Sequence, residues 1–249
     1  MTQPSRTVIL EIPGPLARIT LARPPVNSLN AAMISQFDEA LAVLESTPDV
    51  RAVIITGAGR CFAAGADLAE ISDLSVAEMD VWNRRLERTI DRLARLPIPV
   101  IAAVNGHALG GGLEIALAAD FRFIAATATV GLPEVTLAIV PGAGGMTRLS
   151  RLIGPTQAME LIMTGARLDA DAAGTIGIGR RSDDALADAT DLAERITRWS
   201  PVAVRTIKQA IVAGADAPLQ SALTGDRAAL TTAFATPQAR DAIGAFIRR

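Results

Sequence analysis

The chain has no tyrosine, one histidine and one cysteine, and only 3% of its 249 residues are aromatic. Each scarcity removes an option. With so few rings, the core must be built from Ala, Val, Ile and Leu. The lone Cys61 cannot close a disulfide within the chain, and one Cys with one His in no clustered spacing implies no metal site. Lys208 is the only lysine, so Schiff-base chemistry has a single address. Charge shows no excess either. The 24 basic residues face 26 acidic ones, a net of −2, which gives no reason to expect a nucleic-acid or anionic-membrane partner. The most apolar long segment, Ile98 to Phe121, is broken by Asn105, His107, Glu114 and several glycines, which disqualifies it as a bilayer span. No basic stretch followed by an apolar one stands at the N-terminus, so a cytoplasmic location is expected.

What is present is apolar pattern. Half of the residues are hydrophobic, enough for one large core with an appendage at this length. Val8 to Ile12 and Leu16 to Leu21 read as short strands around Pro13, Gly14 and Pro15. Asn30 can cap a helix in which Met33, Phe37, Leu41 and Leu44 form one stripe. The continuous apolar runs Ala52 to Thr56 and Val100 to Val104 suit strands buried on both faces. Between them, Val76 to Leu96 is an amphipathic helix ended by Pro97 and Pro99. Strand and helix alternate again through Phe121 to Ala125 and in a strand-like run before the PGAGG segment at 141, which argues for an α/β spiral or stacked sheet. After about Thr147 the pattern reads as helices only, including Leu186 to Trp199, Val202 to Ala213 and Ala217 to Ala233. The expected division is a core of residues 1–190 and a helical region of 191–249.

Two acidic residues occupy unusual places. Gly110, Gly111 and Gly112 stand where a strand hands over to a helix, a position that lets backbone N–H groups face a ligand at the positive end of the helix dipole. Glu114 follows Gly111 by three positions and so shares its helical face. An exposed first-turn glutamate favoured by the dipole fits the same pattern, so this segment alone leaves both readings open. The loop GAGRCFAAGAD, with small residues from Ala63 to Ala66 before Asp67, is a second possible source of backbone donors, although such turns usually only join elements. Glu134 follows Pro133 and precedes an apolar run, where either a surface loop or an inward carboxyl fits. Two carboxyls in apolar settings suit general acid-base work, because burial and mutual repulsion keep one of them protonated near neutrality.

In order and spacing, RPPVNSLN at 23–30, FAAGAD, IPVIAAVNGHALGGGLE and LPEVTLAIVPGAGGMTRL resemble the crotonase (enoyl-CoA hydratase/isomerase) superfamily, over nearly the whole chain. The resemblance implies a crotonase spiral of ββα units with a helical C-terminal region that packs trimers and pairs them as hexamers. It implies hydration of a trans-2-enoyl-CoA to a 3-hydroxyacyl-CoA, with Glu114 and Glu134 holding the reacting water and the N–H groups of Ala66 and Gly111 forming an oxyanion hole. Glu114 is assigned as base and Glu134 as acid. Substrate contacts are implied for Arg23, Val26 and Ser28 near the adenine and phosphates, and for Ala64, Gly65, Asp67 and Leu68 along the pantetheine. Gly110, Pro133 and Gly142 complete the implied substrate-binding set. No separate cofactor is implied, since coenzyme A is part of the substrate.

Departures from the family pattern are the Ala69 position, often Lys in the family, the ending Ile247, Arg248, Arg249, and the AGTIGIGRR segment. The first two direct attention to Arg23 and the terminal arginines for phosphate contacts. The rival readings are an enoyl-CoA double-bond isomerase, which needs one carboxylate, and a silent acyl-CoA-binding protein, which would be expected to lack one. A protease triad around His107 is disfavoured because no serine sits in a GxSxG elbow, and Cys61 reads as a small core residue.

Overall fold

The computed structural model describes residues 6–248. Strands β1 (Val8–Glu11) and β2 (Leu16–Leu21) form the antiparallel start, with Gly14 at φ +98° in the connection. Helix α1 (Ala31–Glu45) begins where Asn30 accepts from the Met33 N–H at 2.9 Å, and it buries Met33, Phe37, Leu41 and Leu44 as the stripe requires. Then come β3 (Ala52–Gly57) and β4 (Cys61–Ala63), both buried throughout, followed by α2 (Leu68–Ile71). Helix α3 (Val76–Arg95) opens on a reciprocal Ser75–Glu78 capping box and turns Trp82, Leu86, Ile90 and Leu93 into the core. Each such side chain contributes on the order of 1.5–3 kcal/mol relative to exposure.

The middle of the chain repeats this unit. Strands β5 (Val100–Val104) and β6 (His107–Leu109) lead into α4 (Gly111–Ala118), and β7 (Phe121–Ala125) and β8 (Thr129–Gly131) lead into a 3-10 turn at Glu134–Leu137. In each unit the first strand joins one sheet and the second joins another. With β10 (Arg180–Ser182), the larger sheet has the order β1-β2-β3-β5-β7-β10. With β9 (Arg167–Asp169), the smaller one has the order β4-β6-β8-β9. Their neighbours are parallel except at the β1–β2 and β8–β9 pairs. This is the expected α/β spiral of ββα units.

Two sequence expectations fail here. The apolar run before PGAGG is not a strand. Its Val135, Leu137, Ile139 and Val140 are exposed, the turn closes on Ala138 at φ +58°, and β9 already pairs the free side of β8. The segment after Thr147 is not helical throughout, because β9 and β10 interrupt α5 (Gly145–Ile153), α6 (Pro155–Thr164) and α7 (Ala170–Thr175). Three-residue strands are too short for alternation to appear in a sequence. The end of the AGTIGIGRR segment supplies β10, parallel to β7.

Helix α8 (Ala185–Thr197) straddles residue 190 and packs Ala185, Ala189 and Ala193 on the large sheet. Helices α9 (Pro201–Gly214), α10 (Leu219–Phe234) and α11 (Pro237–Ile247) follow. The Lys208 ammonium is buried and donates to the Ile98 carbonyl at 2.9 Å while pairing with Asp120 at 2.8 Å, which ties α9 to the starts of β5 and β7. No residue of α10 or α11 is buried, and Leu230, Phe234, Phe246 and Ile247 are exposed. Among the described residues, no helix is long and apolar enough to cross a membrane.

Candidate active site

The glycine run at the start of α4 is dictated by crowding and by backbone conformation. Gly110 adopts φ +52°, and a Cβ at Gly112 would stand 2.0 Å from the Ala63 carbonyl oxygen. A side chain at Gly112 would push α4 away from β4, and one at Gly110 would be strained by its backbone and would crowd the Glu134 carboxyl. The close approach brings the β4–α2 loop beside the helix start, so that a Cβ on Gly65 would lie 3.6 Å from the Gly111 nitrogen.

Both proposed oxyanion donors meet at that contact. Leu29 bridges Ala66 in parallel fashion: its N–H donates to Gly65 O at 2.8 Å, and its carbonyl accepts from Asp67 N at 2.8 Å. The flanking residues thus face Leu29, and by alternation the Ala66 N–H faces away from it, while Gly65 next to it packs on Gly110 and Gly111. Gly111 is the first residue of α4, where N–H groups lack intrahelical partners. Among the described residues, neither the Ala66 N–H nor the Gly111 N–H donates to a protein acceptor.

Glu114 is 2% exposed, which removes the reading of a water-exposed first-turn glutamate. Its Oε1 accepts from the Ala143 N–H and the Gly145 N–H, both at 2.8 Å. Burial pushes its carboxyl above the usual carboxylate range; the two N–H groups and the nearby Arg148 pull it down, and Glu87 adds to the rise. Glu134 reaches the same spot from the 3-10 turn. Its Oε1 lies 3.0 Å from where a Cβ on Gly110 would stand, and Glu114 Oε2 lies 3.8 Å from the corresponding point at Gly111. Burial, countered by its own backbone N–H and reinforced by the Glu114 charge, pushes the Glu134 carboxyl up to about 7. Its buried Oε2 has no hydrogen-bond partner among the described residues.

The structure therefore brings Glu114, Glu134, Gly110, Gly111, Gly65 and Ala66 together. Of the other sequence-predicted residues, Val26 accepts from the Ala64 N–H at 3.0 Å, and Asp67 caps α2 by accepting from Ala69 N at 3.1 Å. Val26 on its loop and Leu68 at the start of α2 are exposed, and Pro133 directly precedes the 3-10 turn. Arg23 and Ser28 are hydrogen-bonded to each other, and Arg23 also pairs with Asp67. Gly142 lies on the loop before α5, its carbonyl held by the Asn83 side chain at 2.9 Å. His107 contacts Thr129 through its ring Nδ1, and Cys61 is buried. Arg249 lies outside the described residues.

Sequence reasoning missed the Ala143 and Gly145 donors and the residues that hold their loop. Arg148 donates to the Ala143 carbonyl at 3.1 Å and to Asp91 at 3.3 Å, while Asn83, two turns before Asp91 on α3, holds Gly142. The signal was the PGAGG glycine run, whose unencumbered N–H groups can reach a carboxylate.

Residues 11–249 match the family model described as enoyl-CoA hydratase/isomerase. The chain belongs to that family. A short-chain-enoyl-CoA hydratase of Clostridium acetobutylicum is 40% identical over 247 residues, covering 97% of this chain and 95% of that one. A crotonyl-CoA hydratase of Syntrophomonas wolfei is 36% identical, with 97% and 95% covered. Among family structures, the crystal structure of an enoyl-CoA hydratase from Bacillus anthracis superimposes with a TM-score of 0.94 at 36% identity, covering 98% of this chain and 96% of that one. The crotonase resemblance read from the four motifs holds along the whole fold.

Proposed function

We infer that the protein is an enoyl-CoA hydratase that adds water to a trans-2-enoyl-CoA of short acyl chain. The observation that carries the reading is the meeting of two carboxyls of raised proton affinity beside two backbone N–H groups that have no acceptor among the described residues. The short-chain-enoyl-CoA hydratase of Clostridium and the crotonyl-CoA hydratase of Syntrophomonas support the short acyl chain.

The thioester oxygen accepts from the N–H groups of Ala66 and Gly111, where negative charge grows as the π pair moves toward it. Glu114, whose Oε1 is already bonded to two N–H groups, uses its ionised carboxylate to take a proton from water as the water oxygen bonds to Cβ. Glu134, with the carboxyl that is easier to keep protonated, gives its proton to Cα. The enolate collapses to a 3-hydroxyacyl thioester, and one proton moved from Glu114 to Glu134 restores both groups. Coenzyme A enters as part of the substrate, and no further cofactor has a role.

The apolar residues left exposed on α10 and α11 support self-association through the region after 190, which we assign as a trimer or a pair of trimers. Light scattering on a sizing column checks the mass. The activity is tested with crotonyl-CoA by following loss of the conjugated thioester absorbance in wild type, Glu114→Gln and Glu134→Gln. Large losses in both variants are expected. Turnover of a 3-enoyl-CoA without hydration would replace this reading with the isomerase, and binding without turnover would replace it with a silent thioester binder.

A further inference from the structure

Arg23 lies at the edge of the proposed coenzyme A site, but its guanidinium is already committed inward. Nη2 donates to Asp67 Oδ2 at 2.5 Å, and Nη1 donates to the Ser28 hydroxyl at 2.5 Å and the Ser28 carbonyl at 3.1 Å. The arginine also sits on a fixed base. Asn27, fully buried and at φ +55°, accepts from Arg23 N at 3.0 Å and donates to the carbonyls of Ala58 and Cys61 at 3.0 and 2.8 Å. The loop is thereby stitched to the β3–β4 connection.

At the other end of the ion pair is the frame around Ala66. Asp67 donates its N–H to Leu29, its Oδ1 caps α2, and its Oδ2 takes Arg23, so three different bonds fix the residue directly after Ala66. Gly65, directly before it, is held by the Leu29 N–H. A peptide clamped on both sides has little freedom to reorient its N–H.

We propose that Arg23 and Asp67 form a latch that aims the Ala66 N–H at the thioester oxygen, making Arg23 a positioning residue for the oxyanion hole and not a ligand of the coenzyme A phosphates. The proposal rests on the hydratase reading. A guanidinium paired with a carboxylate and a hydroxyl has little net charge to offer a phosphate, whereas a planar group that bonds Asp67 through Nη2 and Ser28 through Nη1 ties the two segments together in a fixed geometry.

The test compares crotonyl-CoA with the crotonyl thioester of N-acetylcysteamine, which has no phosphates. Arg23→Met and Asp67→Asn are expected to lower kcat by roughly 10–100-fold on both thioesters, as misplacement of a catalytic group does, with KM for crotonyl-CoA near the wild-type value. Arg23→Lys, which keeps the ion pair but loses the fork, is expected to fall between wild type and Arg23→Met, and it gives the same readout if the harsher variants fail to fold. A rise in KM for crotonyl-CoA alone in Arg23→Met, or tighter crotonyl-CoA binding in Asp67→Asn through a freed arginine, would overturn the latch in favour of a phosphate ligand. Unchanged kcat in Arg23→Lys would overturn it as well, while leaving the hydratase reading intact. A wild type inert on both thioesters would remove the hydratase reading and the latch with it.

Discussion

Replacing Glu114 with glutamine separates what this side chain does for the fold from what it does for the reaction. Oε1 accepts from Ala143 and Gly145, and a glutamine carbonyl oxygen can occupy the same place and take both bonds. Only the second oxygen changes, into an NH2 group that cannot accept a proton. Loss of a general base lowers the rate by about 10²–10⁴-fold, or about 3–5 kcal/mol of barrier. Stability should move the other way. The folded carboxyl has its proton affinity raised by burial, so a destabilising contribution from its ionisation appears as pH rises through the folded value, and glutamine has none. At pH 8 the variant is therefore expected to melt no lower than wild type while turning over hundreds of times more slowly.

Glu114→Ala is the contrast. It leaves two buried N–H groups without acceptors, at about 1–3 kcal/mol each, and should lower the unfolding midpoint as well as the rate. Crotonyl-CoA kinetics and thermal unfolding on the same preparations check both. Equal destabilisation in the Gln and Ala variants would refute the assigned bonds, and wild-type turnover in Glu114→Gln would refute the base.

For Glu134, kcat/KM should fall as pH rises past about 7, where the free enzyme loses this proton, and Glu134→Gln should remove that limb along with most activity. Because its folded value is raised from 4.5 to about 7, the associated stability is present below 4.5 and lost as pH climbs through 7, so Glu134→Gln should be more stable than wild type at pH 8 and not at pH 4. Discounted for partial solvation, the gain is about 1–2 kcal/mol in urea titrations. Gly112→Ala places a methyl 2.0 Å from the Ala63 carbonyl oxygen and should cost about 1–3 kcal/mol with a large loss of turnover, since α4 must shift; an unchanged denaturation midpoint would contradict the packing. Lys208→Met breaks the buried pair with Asp120 and should lower stability by about 3 kcal/mol, the low end for such pairs because Asp120 is partly exposed, as urea unfolding will show.

How much of this was legible in the sequence follows from the range of the interactions. Elements with many residues of one period were readable. The capped helix from Asn30, the arginine-faced helix ended by Pro97 and the two continuous apolar strands have the boundaries the pattern gives to within a residue or two. The backbone donor at the start of α4 was readable too, because glycines at a strand-to-helix turn are a local fact, whereas the inward turn of Glu114 three positions on was left open by that segment and settled by its burial. What pattern could not give is whatever depends on a distant partner. The run after Glu134 has strand composition, yet it cannot be a strand once β9 has taken the neighbouring edge, and nothing within six residues announces a partner more than thirty residues away.

The same limit explains why the support of Glu114 was missed. Its two N–H donors lie twenty-nine and thirty-one residues further along the chain, and the loop that carries them is in turn held by Asn83 and, through Arg148, by Asp91 of α3. The spiral makes these meetings inevitable. Each ββα unit returns the chain to the same two sheets, so the loops at one end of successive units stack beside one another. The β4–α2 loop supplies Ala66, the next unit supplies Gly111 and Glu114, the third supplies Glu134, and the loop after that supplies the N–H groups of Ala143 and Gly145. A site divided this way needs no segment to be unusual by itself, which is why Glu134 and the PGAGG run read as ambiguous alone. It also means that a change which tilts one unit against the next, such as a side chain at Gly112, displaces the donor at Gly111 from its partner at Ala66 without touching either residue.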